Sequence, residues 1–209
     1  MHVALIDYDS GNLHSAEKAF QKMGRDLDAR IDVTSDPEIA ARADRIVLPG
    51  DGAFPACRAA LGEVDGMAEA LREAVLKRGV PFIGICVGMQ MLATTGHEYR
   101  RTAGLDWIAG EVEAIDAPGL KVPHMGWNDL VIDRPHPVLE GISTGDHAYF
   151  VHSWQFRVAD PAHRLAHVDY GQPVTAVVGR DNIVGTQFHP EKSQAVGLRL
   201  IANFLNWRP

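Results

Sequence analysis

Cys86 sits between glycines two residues before and two after it, in Gly84-Ile85-Cys86-Val87-Gly88-Met89-Gln90, and His189-Pro190-Glu191 lies near the other end of the chain. A thiol, an imidazole and a carboxylate supply a nucleophile, a base and an acid that orients the base. The glycine spacing is that of a nucleophile elbow, where a strand turns sharply into a helix and holds the reactive side chain at the tip. Without Cβ atoms, Gly84 and Gly88 let strand and helix pass close to the turn, and a helix N-terminus behind Cys86 favours its thiolate. A lone cysteine at a strand end is more often a small buried apolar residue. Here Val80-Pro81-Phe82-Ile83-Gly84-Ile85 reads as a buried parallel strand and Met89 to Ala93 can continue as helix, so the setting matches the elbow.

His189 and Glu191 stand two apart, and Pro190 biases His189 toward an extended conformation, so both side chains are expected to project to one side. The carboxylate then orients the ring and stabilises its charged form. Taken alone the tripeptide is more often a polar surface loop. Its place after the apolar run Ile183-Val184-Gly185-Thr186-Gln187-Phe188 puts it at a strand end, where open α/β sheets carry their sites.

The elements that must position these groups alternate through the first half. Strands are expected at 3 to 7, about 31 to 34, 45 to 48 and 80 to 85, with helices at about 12 to 24, 54 to 61, 65 to 78 and 87 to 95. This pattern predicts an α/β fold, an open, mostly parallel twisted sheet with helices on both faces. From about 107 to 187, short runs such as Trp107-Ile108-Ala109-Gly110, Tyr149-Phe150-Val151-His152 and Val174-Thr175-Ala176-Val177-Val178 predict antiparallel strands and long loops. A closing helix, about Ala195 to Asn206, carries Leu198, Ile201, Ala202 and Leu205 as an apolar stripe.

At 209 residues and 46% apolar content, one domain spanning 1–209 is expected. A net charge of −7 with no basic block argues against nucleic acid or an anionic membrane surface as partner. Cys57 and Cys86 form no disulfide framework, which fits a reducing cytosol, and Cys57 has no elbow around it and reads as structural. Met1 to Asp7 is too brief for a signal or a membrane span, so a cytoplasmic protein is expected. His163 and His167 have no converging ligands, and neither a Walker loop nor a Gly-x-Gly-x-x-Gly follows the first strand; no metal and no cofactor are expected.

Pro49-Gly50-Asp51-Gly52-Ala53-Phe54, the Cys86 elbow and His189-Pro190-Glu191, in that order, make the chain resemble a class I (triad) glutamine amidotransferase over nearly its whole length. Within that class, Asp7-Tyr8-Asp9-Ser10-Gly11-Asn12, Pro123-His124-Met125-Gly126-Trp127-Asn128 and Tyr149-Phe150-Val151-His152-Ser153 resemble the glutaminase subunits of imidazole glycerol phosphate synthases, of histidine biosynthesis. The resemblance implies hydrolysis of glutamine through a Cys86 thioester, with His189 and Glu191 completing a triad. It also implies a heterodimer with a separate (β/α)₈ cyclase subunit that receives the ammonia and makes imidazole glycerol phosphate and aminoimidazole carboxamide ribotide.

For the negative oxygen of the tetrahedral intermediates, elbow geometry offers the backbone N–H of Val87; a second donor is expected from Gly50, Asp51 or Gly52, after a strand adjoining the nucleophile's. The resemblance implies that Gln90 and the backbone around Ser153 and Trp154 hold the substrate carboxylate, that Glu98 pairs with its ammonium, and that the Gly50-Asp51 peptide flips to complete the oxyanion hole. It assigns partner contact to Asn12, Pro123, His124, Met125, Gly126, Trp127, Asn128 and Lys192. Two positions depart from the family pattern: Asp51, commonly Val, and Trp154, commonly Tyr. The alternatives left open are a class I glutaminase serving pyridoxal phosphate, anthranilate or purine synthesis, and a cysteine hydrolase or redox thiol protein on a similar sheet.

Overall fold

The computed structural model describes residues 1–209. The first half runs β1 (His2–Ile6), α1 (Leu13–Gly24), β2 (Arg30–Thr34), α2 (Pro37–Arg42), β3 (Arg45–Gly50), α3 (Phe54–Glu63), α4 (Met67–Arg72), β4 (Phe82–Cys86) and α5 (Val87–Gln90). Short strands follow: β5 (Thr95–Gly96), β6 (Thr102–Ala103), β7 (Gly110–Ala114), β8 (His124–Asp129), β9 (Val131–Ile132), β10 (His147–His152) and β11 (Trp154–Val158). The chain closes with β12 (Arg164–Asp169), β13 (Pro173–Arg180), β14 (Ile183–Thr186) and α6 (Gln194–Asn206).

Strands covered by helices on both faces must be apolar throughout, and Val3 to Ile6, Ile46 to Leu48 and Phe82-Ile83 are all fully buried. They lie in an eight-stranded sheet of order β2-β1-β3-β4-β14-β13-β12-β9. From β2 to β14 the neighbours are parallel, and β13, β12 and β9 continue antiparallel. Helix α1 packs on α6, and α2 on α4. The chain steps from β1 to β2 and then back across to β3, a topological switch beside which such sheets bind ligands at their carboxyl ends. Two smaller sheets, β10-β8 and β11-β7-β5-β6, hold the remaining strands, antiparallel except that β5 runs parallel to β7. No helix is long and apolar enough to cross a membrane.

Several expected elements are corrected. The helix after Cys86 stops at Gln90, not near 95. The carbonyls of Met91, Leu92 and Ala93 accept from the amides of Leu105, of Trp107 and Ile108, and of Asp106, while Thr94 donates to the Gly110 carbonyl at 3.0 Å. With those groups taken, the next helical turn has no partners. The same bonds keep Trp107 to Ala109 out of a strand, and β7 begins only at Gly110. The helix expected over 65 to 78 starts at Met67 and passes into a π-helical turn at Glu73–Lys77. On α6 the buried stripe is Gly197, Leu200, Ile201, Phe204 and Leu205, with Leu198 and Ala202 only half-buried. Phe204 turns that face inward by meeting Phe20 of α1 edge-on, at 6.3 Å between ring centroids.

Candidate active site

Cys86 ends β4 at φ 56° and ψ −113°, a left-handed conformation that a residue with a Cβ rarely adopts. Such a residue stores roughly 1–3 kcal/mol of strain. The flanking strands impose it: Gly50 on β3 is the register partner of Cys86, and Thr186 on β14 that of Ile85. The two glycines are required by contact. A Cβ at Gly88 would fall on the Leu48 carbonyl oxygen, and one at Gly84 would come within 2.5 Å of the Gly88 carbonyl oxygen. The helix behind the cysteine is a single turn, Val87–Gln90.

Because β14 runs beside β4, the chain leaving Thr186 carries His189 to Cys86. His189 Nδ1 lies 2.8 Å from Glu191 Oε1, with both side chains buried. Nε2 is then the ring atom left for the Cys86 sulfur. Burial opposes the charged ring, but the hydrogen bonds to Cys86 and to Glu191, and the negative charge of both, outweigh it and raise His189 to about 10. Only His189 has the extended backbone expected of the tripeptide. Pro190 opens a 3₁₀ turn, Pro190–Lys192, and that turn brings the Glu191 carboxylate back to the ring. Ser193 Oγ donates to the His189 carbonyl at 2.7 Å, and His189 N donates to the Tyr149 carbonyl at 3.2 Å, so β10 braces the segment.

A cavity of about 140 Å³ opens over the sulfur. Its wall brings Cys86, Asp51, Gly52 and Val87 together with Gln90, Glu98, Ser153 and Trp154, and Val151 and His152 complete it. Glu98 is no solvated loop charge: it is buried and accepts from the Phe54 amide at 2.7 Å, at the first turn of α3. Gln90 departs from the expectation. Its Nε2 donates to the Trp154 carbonyl at 3.1 Å and to Gln187 Oε1 at 3.0 Å, so both amide hydrogens are spent and none is left for a substrate carboxylate.

The segment beside the elbow is held from below. Tyr8 donates to the Pro49 carbonyl at 2.6 Å. Ser10 Oγ donates to the Asp51 carbonyl at 2.8 Å and accepts from the Asp51 amide at 3.3 Å, while Cys57 Sγ lies 3.5 Å from the same carbonyl. The Asp51 amide therefore faces Ser10 and not the nucleophile. Burial pushes both the Tyr8 phenol and the Cys57 thiol up, so both are neutral donors at neutral pH.

Residues assigned to partner contact divide by strand alternation. Asn12 is exposed and caps α1; Pro123, Met125 and Trp127 are exposed; Gly126, Asn128 and Lys192 are half-buried. His124 is corrected to a core residue. Its ring stacks on Tyr170 and Phe150, with centroids 4.1 and 4.9 Å away, and its Nδ1 meets His152 Nε2 at 3.0 Å. Burial lowers both histidines to about 4, so each is neutral at pH 7. Trp127 leans edge-on against Tyr149 at 5.9 Å, one residue contact from His189. Sequence reasoning missed Gln187, His152 and the Ser10 clamp. For Gln187 the signal was available, since it stands two residues before His189 in the segment that follows β14. A larger cavity, about 600 Å³ and lined by residues between Ile132 and Ile142, holds no cysteine and shares no residue with the one over Cys86.

A model of the class I glutamine amidotransferase family matches residues 4–207. Over 100% of both chains, the sequence is 67% identical to imidazole glycerol phosphate synthase subunit HisH of Cereibacter sphaeroides and 65% identical to that of Ruegeria pomeroyi. It is 61% identical to the HisH subunit of Rhodospirillum rubrum, again over 100% of each. Among solved structures, a glutamine amidotransferase is similar at a TM-score of 0.73 and 21% identity, covering 98% of this chain and 97% of that one. A glutamine amidotransferase from Thermotoga maritima is similar at a TM-score of 0.64 and 17% identity, covering 99% and 83%. At those identities the solved structures attest the fold.

Proposed function

The chain belongs to the class I glutamine amidotransferase family, among the HisH glutaminase subunits of imidazole glycerol phosphate synthase, and we propose that Cys86, His189 and Glu191 are its catalytic triad. The Cys86 thiolate attacks the side-chain amide carbon of glutamine. His189, charged in the resting site, protonates the departing ammonia; it then takes a proton from the water that attacks the thioester and releases glutamate. Glu191 holds the ring in register through its 2.8 Å contact to Nδ1. The observation that carries this reading is the buried His189, raised to about 10 by Cys86 and Glu191, beside a cavity of about 140 Å³. That volume suits one amino acid, where larger ligands take about 300–1,000 Å³.

The backbone of Ser153 and Trp154 is assigned to the substrate carboxylate and buried Glu98 to the ammonium. The Val87 N–H and one N–H from Gly50 to Gly52 form the oxyanion hole. The Asp51 amide, tied to Ser10, supports a resting state in which the Gly50-Asp51 peptide must flip before the hole is complete. Docking of a (β/α)₈ cyclase subunit, in a cytoplasmic heterodimer, would release it. The exposed Met125 and Trp127, against the Tyr149 that braces His189, are the surface for that subunit, so ammonia leaves next to the acceptor. The chain spanning 1–209 acts as one domain and needs no cofactor for hydrolysis.

Glutamate release is measured for the chain alone and with the cyclase subunit plus its nucleotide, for the native sequence and Cys86→Ala. The native chain is expected to be slow alone and stimulated by the cyclase, with Cys86→Ala silent in both. Retained release in Cys86→Ala sinks the mechanism, and stimulation only by a different synthase sinks the partner.

A further inference from the structure

We propose that Gln187 is a second hydrogen-bond donor to the Cys86 sulfur, besides His189, and that it aims the thiolate and steadies its charge. Its Nε2 lies 3.7 Å from Sγ, hydrogen-bonding range for a sulfur acceptor, and the residue is fully buried. The local chain fixes its place. Gln187 N donates to the Ala176 carbonyl at 2.8 Å, and Thr186 Oγ1 donates to the Phe188 carbonyl at 2.9 Å, so residues 187 and 189 both turn toward the elbow.

The polarity of the contact follows from groups that can act in only one sense. The Trp154 carbonyl only accepts, so the Gln90 atom facing it is Nε2. The second hydrogen on that nitrogen goes to Gln187, which must present Oε1. Gln187 Nε2 is thereby left facing the sulfur. Gln90 thus acts through Gln187 as a positioning residue. An amide buried this deeply is costly unless bonded, and a Met or Leu would fill the same volume without that cost. What the amide adds is an N–H aimed at Sγ. Such a bond strengthens when its acceptor is charged, so it favours the thiolate, both in the resting site and as the group expelled when the thioester breaks down.

The effect on turnover rests on the proposed glutaminase activity; the contact itself does not. Alkylation of the full chain by iodoacetamide is followed by mass spectrometry at Cys86, against Cys57, across pH. Gln187→Met is expected to move the profile up by about one pH unit and to slow alkylation roughly tenfold on its acid limb, as loss of about one hydrogen bond to a charged group requires. An unchanged profile in a variant that melts like the native chain overturns the proposal. A second readout leaves Gln187 in place: its side-chain amide proton resonance should move with the pH profile of Cys86 alkylation and stay still in Cys86→Ala. A resonance that ignores the thiol also overturns it. In the complex with the cyclase, a raised KM at unchanged kcat would make Gln187 a substrate-binding residue and refute the assignment. An alkylation shift in a chain that releases no glutamate would leave the contact standing and remove the glutaminase reading.

Discussion

Ser10→Ala is predicted to make the isolated chain a faster glutaminase. Ser10 Oγ makes two bonds to one residue of the segment beside the nucleophile: it donates to the Asp51 carbonyl at 2.8 Å and accepts from the Asp51 amide at 3.3 Å. Only the bond from the Asp51 amide lies in the Gly50-Asp51 peptide and must break when that peptide flips; the bond to the Asp51 carbonyl, in the next peptide, keeps Ser10 in place to make it. A neutral hydrogen bond contributes about 0.5–1.5 kcal/mol net, and the 3.3 Å contact belongs at the low end. That bond holds the resting peptide by roughly 0.5–1 kcal/mol. Removing that preference multiplies the flipped population by roughly 2–5-fold while it remains the minor state. Glutamate release without cyclase should rise by that factor, whereas the fully stimulated complex, already flipped, should change by less than about twofold. A variant as slow as the native chain, with an unchanged melting temperature, would refute the clamp. So would a variant whose stimulated rate collapses, because Ser10 would then be supporting the productive conformation.

Two further predictions concern stability. His124 and His152 are lowered to about 4 by burial, so between that value and the ordinary 6.5 the unfolded chain binds protons that the folded chain refuses. Their contribution is intact above about pH 6.5 and is lost as pH falls toward 4, so the melting temperature should drop between pH 7 and pH 5. The drop should shrink in His152→Gln, and an equal drop in that variant would clear the pair of responsibility. Gly88→Ala places a Cβ on the Leu48 carbonyl oxygen, which no side-chain rotation can relieve. The urea midpoint should fall by the equivalent of about 2–4 kcal/mol or the chain should not fold; a native midpoint would show that α5 can lift away from β3.

The parts of the site that could be read from sequence are those whose constraints lie within a few residues. Gly84 and Gly88 are demanded by backbone they meet within one turn or one strand, and each is visible as a missing side chain beside Cys86. The parallel core was equally open to reading, because strands buried on both faces must be apolar without alternation, as Ile46 to Leu48 are. What stayed hidden is set by distant partners. The helix after Cys86 looks as though it should continue, yet residues 105 to 108 take its carbonyls. Glu98 looks like an exposed loop charge until the Phe54 amide, 44 positions earlier, buries it. His124 sits in a motif assigned to the surface, and Tyr170 and Phe150 draw its ring inside.

Asp51 joins the two kinds of constraint. Its exposed carboxylate satisfies the electrostatic demand that a negative group face away from a developing oxyanion, a demand legible from its position beside the elbow. Why Asp is tolerated there is a matter of backbone. A peptide flip at Gly50-Asp51 carries Asp51 toward positive φ, a region that Asp enters several-fold more readily than most residues and that a β-branched Val avoids. Gly50, packed against the Gly88 amide, supplies the other half of the rotation without a Cβ in the way. Ser10 opposes that rotation from 41 positions away by accepting from the Asp51 amide, so the clamp and the residue it holds pull in opposite directions on one peptide. A switch needs that balance: a resting state strong enough to keep the isolated chain slow, and a flipped state cheap enough for a docking partner to reach.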